Sequence, residues 1–293
     1  MTDEATAGRV RTVRANGVDL CVEAFGDPDG PAVLLLAGST SSMLMWDAEF
    51  CRRLAGGERF VLRYDLRDTG RSMTYPPGEP EYGLADLAED AVGVLDGYGI
   101  GAAHLVGQSM GGMIAQLVAL DHPGRVASLT LLSSSPGGPG PENPDLSTMS
   151  EEFQREYSDV RWPDWSDRDQ VVEYRVSLQR PCTGGGRAFE EERYRRLAGA
   201  EFDRAIDLES AMRNHFGMAD TPPWRDRLGK IGAPTLVIHG GDDPVHPFDH
   251  AEALAREIPD TRLLRLDGVG HEIPEPDWDT IVRAITTHIA RAT

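Results

Sequence analysis

Between residues 104 and 116 the chain reads HLVGQSMGGMIAQ, and Gly107-Gln108-Ser109-Met110-Gly111 sets a serine between two glycines. A hydroxyl in that setting is a candidate nucleophile. The spacing has a steric reason. Where a strand turns sharply into a helix, side chains at 107 and 111 would collide with neighbouring backbone, and the residue at the tip is strained with its hydroxyl projecting outward. The helix that follows offers backbone N–H groups and a dipole that favours negative charge at the tip. The same pentapeptide also suits a tight turn that merely contains a serine. A base and an acid elsewhere in the chain decide between the two, because a serine hydroxyl is a weak nucleophile on its own.

Eight histidines are available as the base. His104 opens the strand leading to the turn, at the end remote from Ser109. His122 falls in a surface turn, His215 among helical patterns in the middle of the chain, His239 at a strand end where it packs, and His288 in the last helix. His271, in DGVGHEIP, follows the last strand pattern on a glycine-rich loop. In a parallel sheet the loops that follow strands share one edge, which brings His271 to the same edge as Ser109. The orienting acid is sought after the preceding strand, where IHGGDDPVHP offers Asp242 and Asp243; Asp243 is assigned, and Asp242 is read as a turn or surface acid. A metal reading of Asp242, Asp243, His246 and His250 is disfavoured: Pro247 interrupts the His246/His250 spacing, and no HExxH occurs. No metal or cofactor is therefore expected.

The elements that must position these residues follow an α/β rhythm. Apolar strand patterns at 18–26, 32–38, 59–66, 103–108, 126–134, 234–240 and 261–268 alternate with helical patterns near 46–55, 83–99, 109–120, 250–258 and 278–290. Continuous apolar strands between helices predict a parallel sheet covered on both faces. The rhythm breaks at SPGGPGPENP (135–144), a loop composition, and resumes near residue 226. Between them lie acidic and arginine-rich helical patterns with scattered aromatics, Phe153, Tyr157, Trp162, Trp165, Phe189, Phe202 and Phe216 among them, with Met218. These residues suit either a pocket over Ser109 or the core of the insertion itself. YDLRDTGRS (64–72) carries Asp65, Arg67, Asp68 and Arg71 and is read as an ion-paired loop bracing the serine turn.

The net charge of −19 argues against a nucleic-acid partner, since phosphate binding needs clustered cations. Cys21, Cys51 and Cys182 are too few and too scattered for a disulfide framework or a metal knot. The polar N-terminus and the lack of any run of about 18 apolar residues predict a soluble, cytoplasmic protein with no membrane association.

Over nearly its whole length the chain resembles the α/β-hydrolase fold superfamily, and within it the aclacinomycin-methylesterase-type enzymes that tailor anthracycline polyketides. The stretches that carry the resemblance are FGDPDGPAVLLLAG, RYDLRDTGRS, HLVGQSMGGMIAQLVALDHPGRVASLTLL, PTLVIHGGDDPVHP and GVGHEIP. The order Ser109, Asp243, His271 is the order of that fold. The resemblance implies a mostly parallel eight-stranded sheet with helices on both faces, a core split into residues 1–135 and 226–293, and a helical cap at 136–225. It also implies an oxyanion hole from the backbone amides of Met110 and Ser39, although Ala37-Gly38-Ser39-Thr40 departs from the usual His-Gly pattern of that loop. The expected activity is hydrolysis of a carboxylic ester, a methyl ester of a bulky, apolar, polyketide-like small molecule, by a monomer or homodimer. Lactone, carbon–carbon bond and perhydrolase chemistry use the same constellation, and a receptor-like binding protein on the same fold is the non-enzymatic alternative.

Overall fold

The structure, a computed structural model, describes residues 9–137 and 143–292. The chain order is β1 (Arg9–Ala15), β2 (Val18–Gly26), β3 (Ala32–Leu36), α1 (Ala48–Ala55), β4 (Phe60–Tyr64), α2 (Leu84–Gly97), β5 (Ala103–Gln108), α3 (Met110–Asp121) and β6 (Val126–Leu132). Four helices follow, α4 (Glu151–Asp159), α5 (Arg168–Gln179), α6 (Glu191–Arg204) and α7 (Leu208–Asn214), before β7 (Thr235–Gly240), α8 (Asp249–Glu257), β8 (Thr261–Leu266) and α9 (Trp278–Ala292). The Pro/Gly-rich linker expected at 135–144 lies partly outside the described residues, as does the start of the polar N-terminus.

The eight strands form one sheet in the order β1-β2-β4-β3-β5-β6-β7-β8. From β4 to β8 every pairing is parallel, while β2 runs antiparallel to both β1 and β4. The strand that the sequence pattern missed is β1. Its RVRTVRA composition is too arginine-rich for a buried strand, and most of its residues are exposed because it forms the sheet edge.

Alternate residues of the central strands serve two cores, as a period of two dictates. Leu34 and Leu36 of β3 pack with residues of α2, α3 and α8, while Val33 and Leu35 pack with α1 and α9 on the opposite face. A strand covered on both sides reads as an unbroken apolar run, and AVLLL is buried at every position.

After β3 the chain steps to one side to make β4 and then to the other to make β5. The carboxyl ends of β3 and β5 therefore diverge at a switch point, where open α/β sheets leave a crevice. Helices α4–α7 are built differently. Apolar clusters there are small, Val172 with Val176 and Ala198, and Tyr174 with Leu178 and Met212. Ion pairs such as Arg168–Asp203, Arg195–Glu173 and Arg213–Glu209 lace their exposed sides. Among the described residues no helix is long and apolar enough to cross a membrane.

Candidate active site

Ser109 is the residue between β5 and α3, with φ 53° and ψ −119°. That backbone region is unfavourable for any residue with a Cβ, and here it is over-determined by close packing. A Cβ on Gly107 would lie 2.2 Å from the Gly111 carbonyl oxygen, and one on Gly111 would lie 2.2 Å from that of Leu36. The strand and the helix approach this closely only because both positions lack side chains. The turn is pinned further by Ser109 N–H donating to Leu132 O and by the Ser134 hydroxyl donating to Ser109 O, both at 2.9 Å. Met110 begins α3, and first-turn amides have no intrahelical acceptor.

His271 and Asp243 meet across the loops that follow β8 and β7. His271 Nδ1 lies 2.8 Å from Asp243 Oδ2. The other carboxylate oxygen accepts the N–H groups of Val245 and His246, each at 2.9 Å. Burial works to raise the Asp243 pKa, but the charge of His271 and hydrogen bonds from His239 and His271 outweigh it, so the carboxyl stays well below the usual carboxylate range. An ionised Asp243 fixes the proton of His271 on Nδ1 and leaves the Nε2 lone pair as its basic site. Asp242, its neighbour, is exposed.

Ser39, Ser109, Met110 and His271 all border one cavity of about 370 Å³. Five of the nine methionines face it, Met45, Met110, Met113, Met149 and Met218, together with Phe153, Tyr157, Tyr194 and Phe216. Of the aromatics expected over Ser109, Phe153, Tyr157 and Phe216 line the cavity. Trp162 and Trp165 pack instead around Tyr174, and Phe189 stacks on Tyr194.

The loop at 64–72 is ion-paired, but among the described residues its pairs lead away from the serine turn. Asp65 pairs with Arg204 of α6, Arg67 with Asp90 of α2, and Asp68 accepts from Tyr82 and from Asn214 of α7. These charges are buried, so each finds its counter-charge or donor in whichever element packs over it, here helices α2, α6 and α7 together with Tyr82 just before α2.

Three contributors escaped the sequence reading. Gln108, inside the motif, donates from Nε2 to the His271 carbonyl at 3.2 Å and so ties the serine turn to the histidine loop. His239 does more than pack: its Nε2 lies 2.8 Å from His246 O and 3.3 Å from Asp243 Oδ2. The segment before α6 grips the same loop, since His271 N–H donates to Cys182 O at 2.7 Å and Gly184 N–H to Glu272 Oε1 at 3.3 Å. Only the position of Gln108 inside the motif could have signalled any of these. His246 borders the cavity, and burial pushes its pKa down to about 3, which keeps it neutral. His250 is bonded to Ser135 Oγ and Ser147 O.

This sheet order, a strained serine at a strand-to-helix turn and a histidine–aspartate pair on the following loops define a hydrolase of the α/β type. A family model for the alpha/beta hydrolase fold matches residues 31–277, and the chain belongs to that family. It is 33% identical to rhodomycin D methylesterase DauP of Streptomyces sp. (strain C5) over 97% of this chain and 99% of the relative. Identity and coverage are the same for the rhodomycin D methylesterase DnrP of Streptomyces peucetius. In fold it is similar to the esterase EaEST from Exiguobacterium antarcticum, with a TM-score of 0.77 at 21% identity, covering 96% of this chain and 100% of that one. Family and full-length relatives together make it a carboxylic ester hydrolase.

Proposed function

We propose that Ser109 is the nucleophile, His271 the general base and acid, and Asp243 the residue that orients and charge-stabilises the imidazole, in the hydrolysis of a methyl ester on a bulky, apolar, polycyclic small molecule. The observation that carries the reading is the hydrogen bond from the His271 ring to a buried, fully partnered Asp243, on a cavity that the strained Ser109 also borders. In this mechanism Ser109 Oγ attacks the ester carbonyl while His271 Nε2 takes its proton. The oxyanion forms against the backbone amides of Met110 and Ser39. His271 then protonates the departing methoxide, and methanol leaves an acyl-enzyme. Water, deprotonated by the same nitrogen, releases the acid and frees Ser109.

For the acyl group, the support is the lining. Thioether and aromatic side chains are polarisable and adaptable, which suits a large flat ring system better than a small polar acid. A cavity of about 370 Å³ has the volume of a small-molecule site. The full-length resemblance to rhodomycin D methylesterases points the same way. Helices α4–α7 and their connections act as a cap over the nucleophile, with the core before and after them.

The test is a kinetic panel of methyl esters of polycyclic aromatic acids against methyl acetate and simple lactones. The expected result is a kcat/KM for the polycyclic methyl esters at least about a hundredfold above that for methyl acetate, the increment of a few buried groups. A preference for the lactones, or for the small ester, would overturn the substrate assignment, and failure of a fluorophosphonate to modify Ser109 would overturn the nucleophile.

A further inference from the structure

The loop after β3 is not held by the sheet alone. Four hydrogen bonds join residues 40–42 to three side chains from the segment between β6 and β7. Thr40 N–H donates to His215 Nδ1 at 2.8 Å. Arg175 Nη1 donates to Thr40 Oγ1 at 3.2 Å. Ser42 donates twice to Glu201 Oε1, from its N–H at 3.0 Å and its hydroxyl at 2.9 Å. Arg175 Nη2 completes the set by donating to Glu201 Oε2 at 2.8 Å. Glu201 and His215 are almost wholly shielded from solvent.

Thr40 is left-handed at φ 60°, unusual for a β-branched residue, so something outside the loop must hold it there. The His215 ring supplies that hold and has one tautomer that can do so. Its Nε2 lies 2.9 Å from the Arg67 carbonyl, which only accepts, so Nε2 carries the hydrogen and Nδ1 is left to accept from Thr40. Burial keeps the ring neutral, as that tautomer requires. Ser39, whose carbonyl is joined to the Thr40 amide nitrogen in one peptide unit, borders the cavity beside Ser109.

We propose that His215 is a positioning residue for the oxyanion hole: by binding the Thr40 amide, and with Arg175 and Glu201 gripping the same loop, it sets the aim of the Ser39 N–H and makes ester hydrolysis depend on how the inserted helices are seated. The proposal rests on Ser39 and Met110 being the oxyanion donors. His215 touches no reacting atom in this role. Its effect is on the transition state, where charge develops on the carbonyl oxygen, and much less on ground-state binding.

His215→Phe keeps an aromatic ring and removes both the acceptor for Thr40 and the donor to the Arg67 carbonyl, whereas His215→Asn places an amide oxygen where Nδ1 stood. Each variant is assayed with a p-nitrophenyl ester, and the inhibition constant of a trifluoromethyl ketone, whose adduct with Ser109 carries the oxyanion, is measured alongside. His215→Phe is expected to lower kcat by roughly tenfold to a hundredfold, reaching only the lower end of the loss for a deleted oxyanion donor because the donor is misaimed rather than removed. Its KM should stay within about twofold and its ketone affinity should fall in step with kcat, with most of both restored in His215→Asn. A merely structural histidine predicts a lower unfolding temperature with kcat and ketone affinity of the folded enzyme unchanged; that result overturns the proposal, as does an Asn variant no better than the Phe variant. If His215→Phe does not fold, Thr40→Val decides instead, since it deletes only the hydroxyl that Arg175 reaches: a loss in kcat of about threefold at constant KM supports the bracing, and an unchanged kcat overturns it. A wild-type enzyme that neither cleaves the ester nor reacts with a fluorophosphonate overturns the nucleophile assignment, and this inference with it. An active wild type with an unaffected His215→Phe overturns this inference alone.

Discussion

The sheet and the helices inserted between β6 and β7 use different forces. Around the sheet lie two large apolar cores, and residues such as Leu34, Leu35, Val61 and Ile285 are fully buried. In the insertion the apolar clusters contain three buried residues each, and arginine–carboxylate pairs replace them on the surface. Exposed pairs of that kind contribute little, whereas dense apolar burial contributes a great deal. The frame that holds Ser109 is therefore the more densely packed part of the molecule, and the inserted helices are the more sparsely packed part. The two meet at the site. The serine turn is set by backbone packing within the frame, while the loops carrying Ser39 and His271 are bonded to the insertion.

The sharpest separation of frame from chemistry is Ser109→Ala. It should lower kcat by about three or more orders of magnitude while leaving the unfolding transition close to that of the wild type, because the turn is held by Gly107, Gly111 and backbone bonds rather than by the hydroxyl. Near-normal turnover in a folded variant would break the assignment. Next comes the same substitution in the two regions. Leu35→Ala, in the fully buried frame, should destabilise by about 4–5 kcal/mol, and Leu178→Ala, on the cavity side of α5, by about 2 kcal/mol or less, since the cost depends on the void left behind. Urea unfolding measures both, and equal losses would erase the contrast between frame and insertion. The smallest effect is Arg168→Ala. Its pair with Asp203 is about half exposed on both sides, so the loss should stay within about 1 kcal/mol and shrink further in high salt. A larger, salt-insensitive loss would mean the insertion's surface pairs matter more than its apolar clusters.

Much of this was legible in the residues. The parallel core strands β3 to β7 announce themselves because burial on both faces leaves no room for polar alternation, and their ends fall within a few residues of the apolar runs. The serine turn announces itself because its glycines answer a local steric demand. Edge strand β1 was hidden, since an edge has one face in water and tolerates arginines at most of its positions. The partners of the 64–72 loop were misread for a related reason: a charged residue in a sequence says that a counter-charge is needed when it is buried, but not which element will bring it.

What the sequence determined by itself was the strand-to-helix turn at Ser109, the alternation that makes a doubly covered sheet, and the order of serine, aspartate and histidine along the chain. These depend on sterics and periodicity over a few residues. Asp243, preferred to Asp242 in the sequence, faces His271 in the structure; tertiary structure alone decided that Gln108 reaches the histidine loop and that His215, Arg175 and Glu201 converge on the turn at Thr40. Those contacts join residues from 28 to 175 positions apart. No local pattern encodes which side chains a packed chain will bring within hydrogen-bonding distance of one another, because that choice belongs to the packing of all the elements at once.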